Sequence, residues 1–417
     1  MTADAALAAL RHSVPSDTER EPHDFPLDGL LPRIAFSPSD RREVATLLHT
    51  AAEHDLVVVP LGSRTALTFG RPLDRYDVAL DVRGLHRVVE YVPEDLTVTV
   101  EAGTTLGQLQ QTLGEHGQYL PVDPPPDDRV SIGGMLATAR PGAWRGQTAG
   151  IRDVVIGLTV ALPDGSLAKS GGRVVKNVSG YDLHRLHTGA LGAFGVVIEA
   201  SFKLAPLPAA TQSLALRCAS LGDAVRLAGA LRDATLAVRA LAVVAPRAAA
   251  HAGLSHEPHV LIECAGVVAA VERSLTDTRD IAGRSGAMVT EPRGKPWARL
   301  RALAGDEDAT VVRMGAPPSA LEEILTAARE AGCQAWGYPG TGSVIGHAAA
   351  GLEAGALSSL RAHAEARGGF LQIEAASAEL RRRVDPFSLG ERECIVRLRD
   401  QLDPRRTINR GRWMEGL

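Results

Sequence analysis

The stretch between Gly171 and Pro208 constrains the fold of this chain more than any other part of its sequence. It opens with a glycine pair and a basic, polar turn, which reads KNVSGYD over residues 176–182. A short helical run and two further glycines follow, and then the apolar residues 196–204, which are typical of a buried strand. Small residues let the backbone approach a bulky ligand closely, and polar side chains at a turn can bind it. The pattern therefore predicts a ligand-binding turn in front of a buried strand.

Hydrophobic periodicity indicates mixed secondary structure on both sides of Pro208. Before it, Asp40 and Glu43 form a capping-box pattern ahead of apolar residues at helical spacing, and residues 97–100 alternate with the period of a strand. After it, two successive sets of strands and helices follow without a strict sequence repeat. Two helices against an antiparallel sheet are ferredoxin-like in style. The sequence therefore predicts an α+β fold.

Charge and cysteine spacing narrow the classes of function. The chain of 417 residues has a formal net charge of -4 and 4% aromatic residues, which disfavours nucleic acids and anionic membranes as partners. Its four cysteines lie far apart, so neither an iron–sulfur cluster nor a structural zinc site is expected, and free thiols favour a cytoplasmic protein. No signal peptide or transmembrane segment is expected, although docking to a membrane-bound partner is compatible with the sequence.

Four more segments accompany the KNVSGYD turn in a fixed order. The loop PLGSRTALTFG occupies residues 60–70 after a short apolar strand, and SIGG follows at residues 131–134. GIRD at residues 150–153 precedes another strand, and DPRRTINRGR stands at residues 403–412. In this order and spacing, the segments resemble the vanillyl-alcohol-oxidase/p-cresol-methylhydroxylase superfamily of FAD-binding oxidoreductases. Within it, the chain is most similar to the FAD-binding E-subunits of bacterial glycolate oxidases.

The resemblance implies a domain organisation. It implies a two-subdomain p-cresol-methylhydroxylase-type FAD-binding domain at residues 31–208, preceded by an N-terminal extension at residues 1–30. A ferredoxin-like α+β cap domain, which would bind the substrate, is expected at residues 209–390. Residues 391–417 are then expected to return to the FAD-binding domain.

The resemblance also assigns cofactor-binding residues. The first loop would bind the FAD pyrophosphate, and the SIGG segment would lie along the flavin. The strand from Gly195 to Ile198 would lie near the adenine half. The residues implied in this way are Gly62, Ser63, Arg64, Thr65, Ser131, Ile132, Gly133, Gly134, Gly150, Arg152, Asp153, Lys176, Asn177, Gly180, Tyr181, Gly195, Val197 and Asn409. Asp182 would also lie near the flavin.

Two departures from the family pattern concern the cofactor and a metal. Ser63 and Arg64 stand where the family has glycines, so Arg64 could place a charge near the phosphates. The loop has no histidine or cysteine to which flavin could be attached, so the FAD is expected to be non-covalent. The run VIGHAAAG around His347 is faintly similar to the metal-binding GHxxDGN of the related D-subunits, but the carboxylate and the second histidine are missing. No metal is predicted, and a structural role for His347 is favoured.

The activity implied by the resemblance is oxidation of a 2-hydroxy acid, such as glycolate or D-lactate, to the 2-oxo acid by hydride transfer to flavin. An arginine usually holds the substrate carboxylate through paired bonds, and Arg313, Arg382 and Arg412 are equal candidates. No catalytic residue is assigned from the sequence. The implied partners are a second flavin subunit and an iron–sulfur subunit. Two alternatives stay open: a non-catalytic electron-relay or assembly subunit, and an NADPH-using reductase of the same flavin fold, such as UDP-N-acetylenolpyruvoylglucosamine reductase.

Overall fold

A computed structural model of the chain describes residues 3–148, 150–172, 181–388, 390 and 392–415. Helices and strands alternate along these residues, which confirms the predicted α+β class. The strands are β1 (Glu19–Arg20), β2 (Ile34–Phe36), β3 (Val58–Leu61), β4 (Val78–Asp81), β5 (Val88–Val92), β6 (Thr97–Glu101), β7 (Gln118–Tyr119), β8 (Val155–Ala161), β9 (Leu167–Gly171), β10 (Val196–Lys203), β11 (Ala205–Pro206), β12 (Ala210–Arg217), β13 (Val238–Val244), β14 (His259–Gly266), β15 (Met288–Thr290), β16 (Thr310–Gly315), β17 (Gln334–Tyr338), β18 (Ser343–Ala348) and β19 (Phe370–Ala375). The helices are α1 (Ala3–Ser13), α2 (Arg41–Glu53), α3 (Leu106–Gly114), α4 (Ile132–Thr138), α5 (Ile151–Val154), α6 (His184–His187), α7 (Leu221–Asp233), α8 (Pro246–His251), α9 (Val268–Arg284), α10 (Pro296–Ala304), α11 (Leu321–Glu330), α12 (Ala354–Glu365), α13 (Ala378–Arg383) and α14 (Arg392–Leu402).

The first sheet holds four strands in the order β1-β2-β4-β3, and β4 is parallel to both of its neighbours. Helix α2 packs in the same hydrophobic cluster and begins at the predicted capping box. The Asp40 carboxylate accepts the N–H of Arg42 at 2.7 Å, and the Glu43 carboxylate accepts the N–H of Asp40 at 3.3 Å. Leu47 and Leu48 are fully buried, and each such leucine stabilises the contact by about 1.5–3 kcal/mol.

The second sheet is antiparallel, in the order β5-β6-β10-β8-β9, and its central strand is the apolar run predicted after the KNVSGYD turn. A register shift between Val197 and Glu199 reverses the faces of β10. Ile198 therefore packs towards the first sheet. Ala200 and Phe202, which would lie on the same face as Ile198 in a regular strand, instead pack against α3 and α4. One strand thus supplies apolar side chains to two cores.

The third sheet is built from two βαββαβ units joined edge to edge. The first unit has the strand order β15-β12-β14-β13, and the second has the order β17-β18-β16-β19, which is the same arrangement reversed. The units meet where β13 pairs with β17 through Val243–Gly337 and Val244–Trp336. Helices α7, α9, α11 and α12 cover one face. The ferredoxin-like prediction for this region is confirmed, and the two units share one eight-stranded sheet.

A buried carboxylate fastens this sheet to the N-terminal half of the chain. The two oxygens of Glu374 on β19 accept separate bonds, from Arg140 Nε at 3.0 Å and from Arg313 Nε at 2.7 Å. Arg140 follows α4 directly and also donates to the carbonyl of Ala304 at the end of α10. The side chains of Arg140 and Glu374 are each 2% exposed, so water does not screen this contact.

A second buried carboxylate joins three distant parts of the chain. Asp28 accepts from Arg381 Nη2 at 2.5 Å and from Arg412 Nη1 at 3.0 Å. Arg381 also donates to the carbonyl of Gly70 at 2.9 Å, so α13 is tied to the segment that follows the first loop. Burial lowers the pKa of Arg412 to about 10, and the charge of Asp28 opposes that shift.

We expect Asp28→Asn to lower the free energy of unfolding by about 3–5 kcal/mol, because it leaves two buried guanidinium groups without their counter-ion. Denaturant unfolding followed by circular dichroism would measure the loss. Asp17→Asn, at an exposed residue near the same end of the chain, is the matched control and should change stability by no more than about 0.5 kcal/mol. Equal stability of the two variants would contradict the assigned role of Asp28.

Candidate functional site

A narrow pocket, here called the loop pocket, lies between the turn after β3 and the start of α4. One hydroxyl joins its two walls, because Ser131 Oγ accepts the N–H of Ser63 at 3.4 Å and the N–H of Gly134 at 3.3 Å. Seven of the residues assigned from the sequence line this pocket: Gly62, Ser63, Arg64, Thr65, Ser131, Gly134 and Asn409. Two segments that are 68 residues apart in the sequence therefore form one site.

The backbone of the turn approaches α4 too closely for side chains at its first position. A Cβ added to Gly62 would lie 2.1 Å from Ser131 Oγ, so only glycine fits there. Arg64 adopts a φ of 57°, a conformation that glycine favours and that costs other residues about 1–2 kcal/mol. Its guanidinium lies 5.0 Å from the centre of the Phe25 ring and donates to the carbonyl of Asp24. The Arg64 side chain is thus anchored on the N-terminal segment.

The C-terminal segment closes the loop pocket. Ile408 pairs in parallel with Val58, and the N–H of Asn409 donates to the carbonyl of Val58 at 3.0 Å. Asn409 Nδ2 donates to the carbonyl of Leu191 at 2.7 Å, and both residues line the pocket. Arg412 lines it as well and donates to the carbonyl of Leu67. Asn409 thus lies beside the first loop, and its expected contact with the cofactor stays a prediction.

A second pocket, here called the arginine pocket, begins where α4 ends. Ala137 and Thr138 line the loop pocket, and the next two residues, Ala139 and Arg140, line the arginine pocket. The arginine pocket has a volume of about 240 Å³. Its charged lining residues are Arg140, Arg145, Arg152, Arg313 and Asp123. These four guanidinium groups outnumber the carboxyl groups of Asp123, Glu374 and Asp153 beside them, which makes the pocket a candidate site for an anion.

Asp123 holds the wall of the arginine pocket together. Its Oδ2 accepts the N–H of Ala143 at 2.8 Å, and its Oδ1 accepts the N–H of Trp144 at 3.2 Å. A Cβ on Gly142 would lie 2.4 Å from the Asp123 carboxyl carbon, so the 141–144 segment is shaped around this side chain. Burial raises the pKa of Asp123 to about 7, against the opposing effect of the two N–H groups.

The GIRD segment lies partly in the arginine pocket. Gly150 and Arg152 line it, whereas Asp153 turns away and caps α5. The Asp153 carboxylate accepts the N–H of Gly150 at 2.9 Å and pairs with Arg145 at 2.7 Å. These two contacts lower the pKa of Asp153. The ion-pair partner of Asp153 is therefore Arg145 and not the adjacent Arg152, and a role of Asp153 in cofactor binding stays a prediction.

Five other residues assigned from the sequence lie outside both pockets. Ile132 is fully buried in the core, and a Cβ on Gly133 would meet Ala102 at 3.1 Å, so the middle of SIGG faces away from the loop pocket. Gly195 packs against β8, and Val197 lies in the core, so neither residue faces a pocket. Tyr181 is 89% exposed. A role of these residues in cofactor binding stays a prediction.

Part of the KNVSGYD turn lies outside the described residues: Lys176, Asn177 and Gly180. Asp182, at its end, is exposed and pairs with Arg185 at 3.5 Å.

The three arginine candidates are separated by the structure. Arg313 lines the arginine pocket, Arg412 lines the loop pocket, and Arg382 is exposed on α13. Sequence reasoning missed Asp123 and Arg140. The only signal for either was proximity, since Arg140 follows the SIGGMLATA segment directly and Asp123 precedes it in a proline-rich stretch.

His347 lies in β18, and its Nε2 is 2.8 Å from Asp306 Oδ2. Within the described ranges, no group of three or more histidine, cysteine, aspartate or glutamate side chains is arranged to hold a metal ion. None of the helices in the described part of the chain is long and apolar enough to span a membrane.

Comparisons with known proteins agree with this geometry. Residues 32–171 match the family model described as FAD binding domain. The glycolate oxidase subunit GlcE of Escherichia coli (strain K12) is 38% identical over 154 residues, which cover 37% of this chain and 43% of that protein. A mitochondrial D-lactate dehydrogenase [cytochrome] of Arabidopsis thaliana is 34% identical over 178 residues, which cover 43% of this chain and 31% of that protein. The matched region thus spans less than half the length of each relative.

A solved structure extends the likeness to the whole fold. The crystal structure of p-cresol methylhydroxylase with substrate bound matches with a TM-score of 0.80, over 98% of this chain and 96% of that chain, at 14% identity. Residues 32–171 thus match an FAD binding domain, and the overall fold is that of p-cresol methylhydroxylase.

Proposed function

We propose that this chain binds one FAD non-covalently and oxidises a 2-hydroxy acid to the corresponding 2-oxo acid. The observation that supports this most is the continuity of the loop pocket and the arginine pocket along residues 137–140. A long dinucleotide could follow this segment, with its pyrophosphate at the turn after β3 and its reactive ring near the arginines. Relatives named glycolate oxidase and D-lactate dehydrogenase support the substrate class.

The residues of the loop pocket suit a pyrophosphate. Gly62 lets the turn approach Ser131 closely, and backbone N–H groups of a tight turn bind anions. Arg412 supplies a buried positive charge at the far wall, and Asn409 adds an amide. Bound FAD would supply the two-electron acceptor, and the chain would supply binding, orientation and electrostatics.

The arginine pocket suits the substrate carboxylate. Arg313 is the candidate that lies there, and its guanidinium is fixed by Glu374 at 2.7 Å and Gln372 at 2.5 Å. A guanidinium that is already oriented loses little entropy when it binds a carboxylate. We therefore assign the carboxylate clamp to Arg313 rather than to Arg382 or Arg412.

Asp123 is placed to accept the hydroxyl proton of the substrate. Oxidation of an alcohol breaks its C–H and O–H bonds; the hydride goes to the bound acceptor and the proton needs a base. Asp123 lies in the wall of the arginine pocket, its carboxyl is oriented by the N–H groups of Ala143 and Trp144, and its pKa is close to neutral. A base with such a pKa transfers protons effectively near pH 7.

A partner would remove the electrons. All four cysteines are free and three of them are buried, so this chain has no cluster of thiolates for onward transfer. We propose a second flavin subunit and an iron–sulfur subunit as partners, supported by the relatives that are themselves named as subunits. The free thiols fit a reducing compartment, and we place the protein in the cytoplasm, with membrane association only through a partner.

Non-covalent binding at the loop pocket can be tested by Gly134→Trp. The purified protein should be yellow and should release all of its flavin on acid precipitation. Gly134→Trp should abolish FAD binding, because its indole would fill the space between α4 and the turn. Gly283→Trp, on exposed α9, is the matched control and should keep full flavin occupancy. Flavin that stays with the precipitated chain, or full occupancy in Gly134→Trp, would refute this assignment.

The role of Asp123 predicts a pH profile. Since burial raises its pKa to about 7, the carboxylate form grows as pH rises through about 7, and the rate of flavin reduction should rise with it and level off above about pH 8. Asp123→Asn should lower this rate by about 10²–10⁴-fold and remove the pH dependence while FAD occupancy is kept. Stopped-flow reduction at 450 nm measures both.

Asp127→Asn, at a nearby half-buried carboxylate that lines neither the arginine pocket nor the loop pocket, should behave as the wild type. An unchanged pH profile in Asp123→Asn would mean that Asp123 only anchors the 141–144 segment.

Partner dependence predicts slow steady-state turnover by the chain alone. With D-lactate or glycolate, the flavin should be bleached in a single turnover, and oxygen should reoxidise it slowly. Added partner subunits should raise steady-state turnover by at least about tenfold. Rapid turnover by the lone chain would instead identify a free dehydrogenase, and a flavin that no 2-hydroxy acid bleaches would favour the electron-relay alternative.

A further inference from the structure

A third cavity, here called the aromatic cavity, adjoins the arginine pocket. It lies between the eight-stranded sheet, helix α10 and the segments that contain Asp123 and Trp144, and its volume is about 510 Å³. The two cavities share the lining residues Asp123, Pro141, Gly142 and Trp144. The two cavities are therefore direct neighbours, and a small molecule bound across their shared wall residues would have one end beside the arginines and the other in the aromatic cavity.

The aromatic cavity differs from its neighbour in the chemistry of its walls. Three aromatic side chains line it, those of Trp144, Trp297 and Tyr338. The arginine pocket holds four guanidinium groups, and Trp144 is its only aromatic lining residue among those described. This asymmetry separates a site for an anion from a site for an apolar, flat group.

The aromatic walls are held in place before any ligand arrives. Trp297 Nε1 on α10 donates to Ser213 Oγ on β12 at 3.2 Å, and Ser213 Oγ donates to Glu263 at 3.4 Å. Glu263 in turn accepts from Arg239 Nε at 2.8 Å, and the Arg239 guanidinium lies 4.6 Å from the centre of the Trp144 ring. This chain of contacts runs from one tryptophan to the other across three strands.

Tyr338 completes the wall on the sheet. Its hydroxyl oxygen accepts the N–H of Trp336 at 2.9 Å, which fixes the ring and leaves the hydroxyl proton available for another acceptor. The ionic groups nearest to the rings compensate each other, since Arg239 pairs with Glu263 and both are at least 85% buried. The other charged lining residues also balance in number, with Lys295 and Arg301 against Asp123 and Glu291, so the cavity combines its three aromatic side chains with no formal net charge.

We propose that the aromatic cavity binds the side chain of the substrate, and that this substrate is a 2-hydroxy acid with an aryl or similarly bulky apolar group. The carboxylate would lie in the arginine pocket and the ring would lie among Trp144, Trp297 and Tyr338. Glycolate and lactate would leave a cavity of about 510 Å³ almost empty, and their binding would not use its aromatic surface. The inference rests on the oxidation proposed above and names its substrate class.

Binding can be measured without any reaction. The FAD-loaded full chain would be titrated by calorimetry with phenylacetate and with acetate, neither of which can be oxidised at a 2-hydroxyl group. We expect phenylacetate to bind at least about tenfold more tightly than acetate, as burial of an apolar group in a formed pocket gives discrimination of about 10–200-fold. Equal affinities would overturn the inference.

Two variants and a matched control locate the site. Trp297→Ala should remove most of the preference for phenylacetate, and Thr211→Trp, which fills the cavity from its rim without removing core packing, should do the same. Both should leave acetate binding unchanged. Arg299→Ala, on the exposed face of the same helix, should keep the preference. A preference that survives both cavity variants would place the ring elsewhere and overturn the inference.

Flavin bleaching separates this inference from the oxidation on which it rests. Phenyllactate should reduce the flavin with a higher kcat/KM than D-lactate or glycolate. Selective binding of phenylacetate without bleaching by any 2-hydroxy acid would uphold the aromatic site and overturn the oxidation. Bleaching by glycolate, D-lactate and phenyllactate at equal kcat/KM, with equal affinities for the two probe acids, would uphold the oxidation and overturn the inference.

Discussion

The carboxylate of Glu374, held between Arg140 and Arg313, is the contact on which the geometry of the site depends. It is the point at which the segment after α4, the end of α10 and the last strand of the eight-stranded sheet are fixed to one another. Burying three charges is costly, and the cost is offset only because each carboxylate oxygen receives its own charge-assisted bond. The benefit is positional, because the arginine pocket and the aromatic cavity both take their walls from the parts that Glu374 holds together.

Local features of this fold could be predicted from the sequence, because their causes are local. The capping box at Asp40 and the helical spacing after it fix α2, and the alternation at residues 97–100 fixes β6. The apolar residues 196–204 became the central strand β10. The register shift after Val197, which sends Ala200 to a different core from Ile198, could not be predicted because it depends on how two neighbouring strands pair.

The candidate site could be predicted where backbone forms it and not where distant side chains meet. The turn at residues 62–65 and the SIGG segment lie side by side. Their glycines and serines form recognisable sequence motifs, and the resemblance assigned both segments to the cofactor site from these motifs. Arg140 and Glu374 are 234 residues apart, and no sequence pattern connects them. Asp153 illustrates the same limit at short range, because its partner is Arg145 rather than the adjacent Arg152.

The distribution of buried charge also determines how a ligand must be oriented. At the loop pocket, Asp28 is shared between Arg381 and Arg412, so it offsets only part of their positive charge, and the remainder would add to the N–H groups of the turn in binding the proposed pyrophosphate. At the arginine pocket, Glu374 neutralises part of the charge of Arg140 and Arg313, and the surplus of guanidinium groups calls for one more anionic group. In the aromatic cavity, the opposite charges of Arg239 and Glu263 compensate each other. The 2-hydroxy acid proposed above, with one carboxylate and one apolar end, would match these cavities in one direction, and its hydroxyl-bearing carbon would then lie at their junction, beside Asp123.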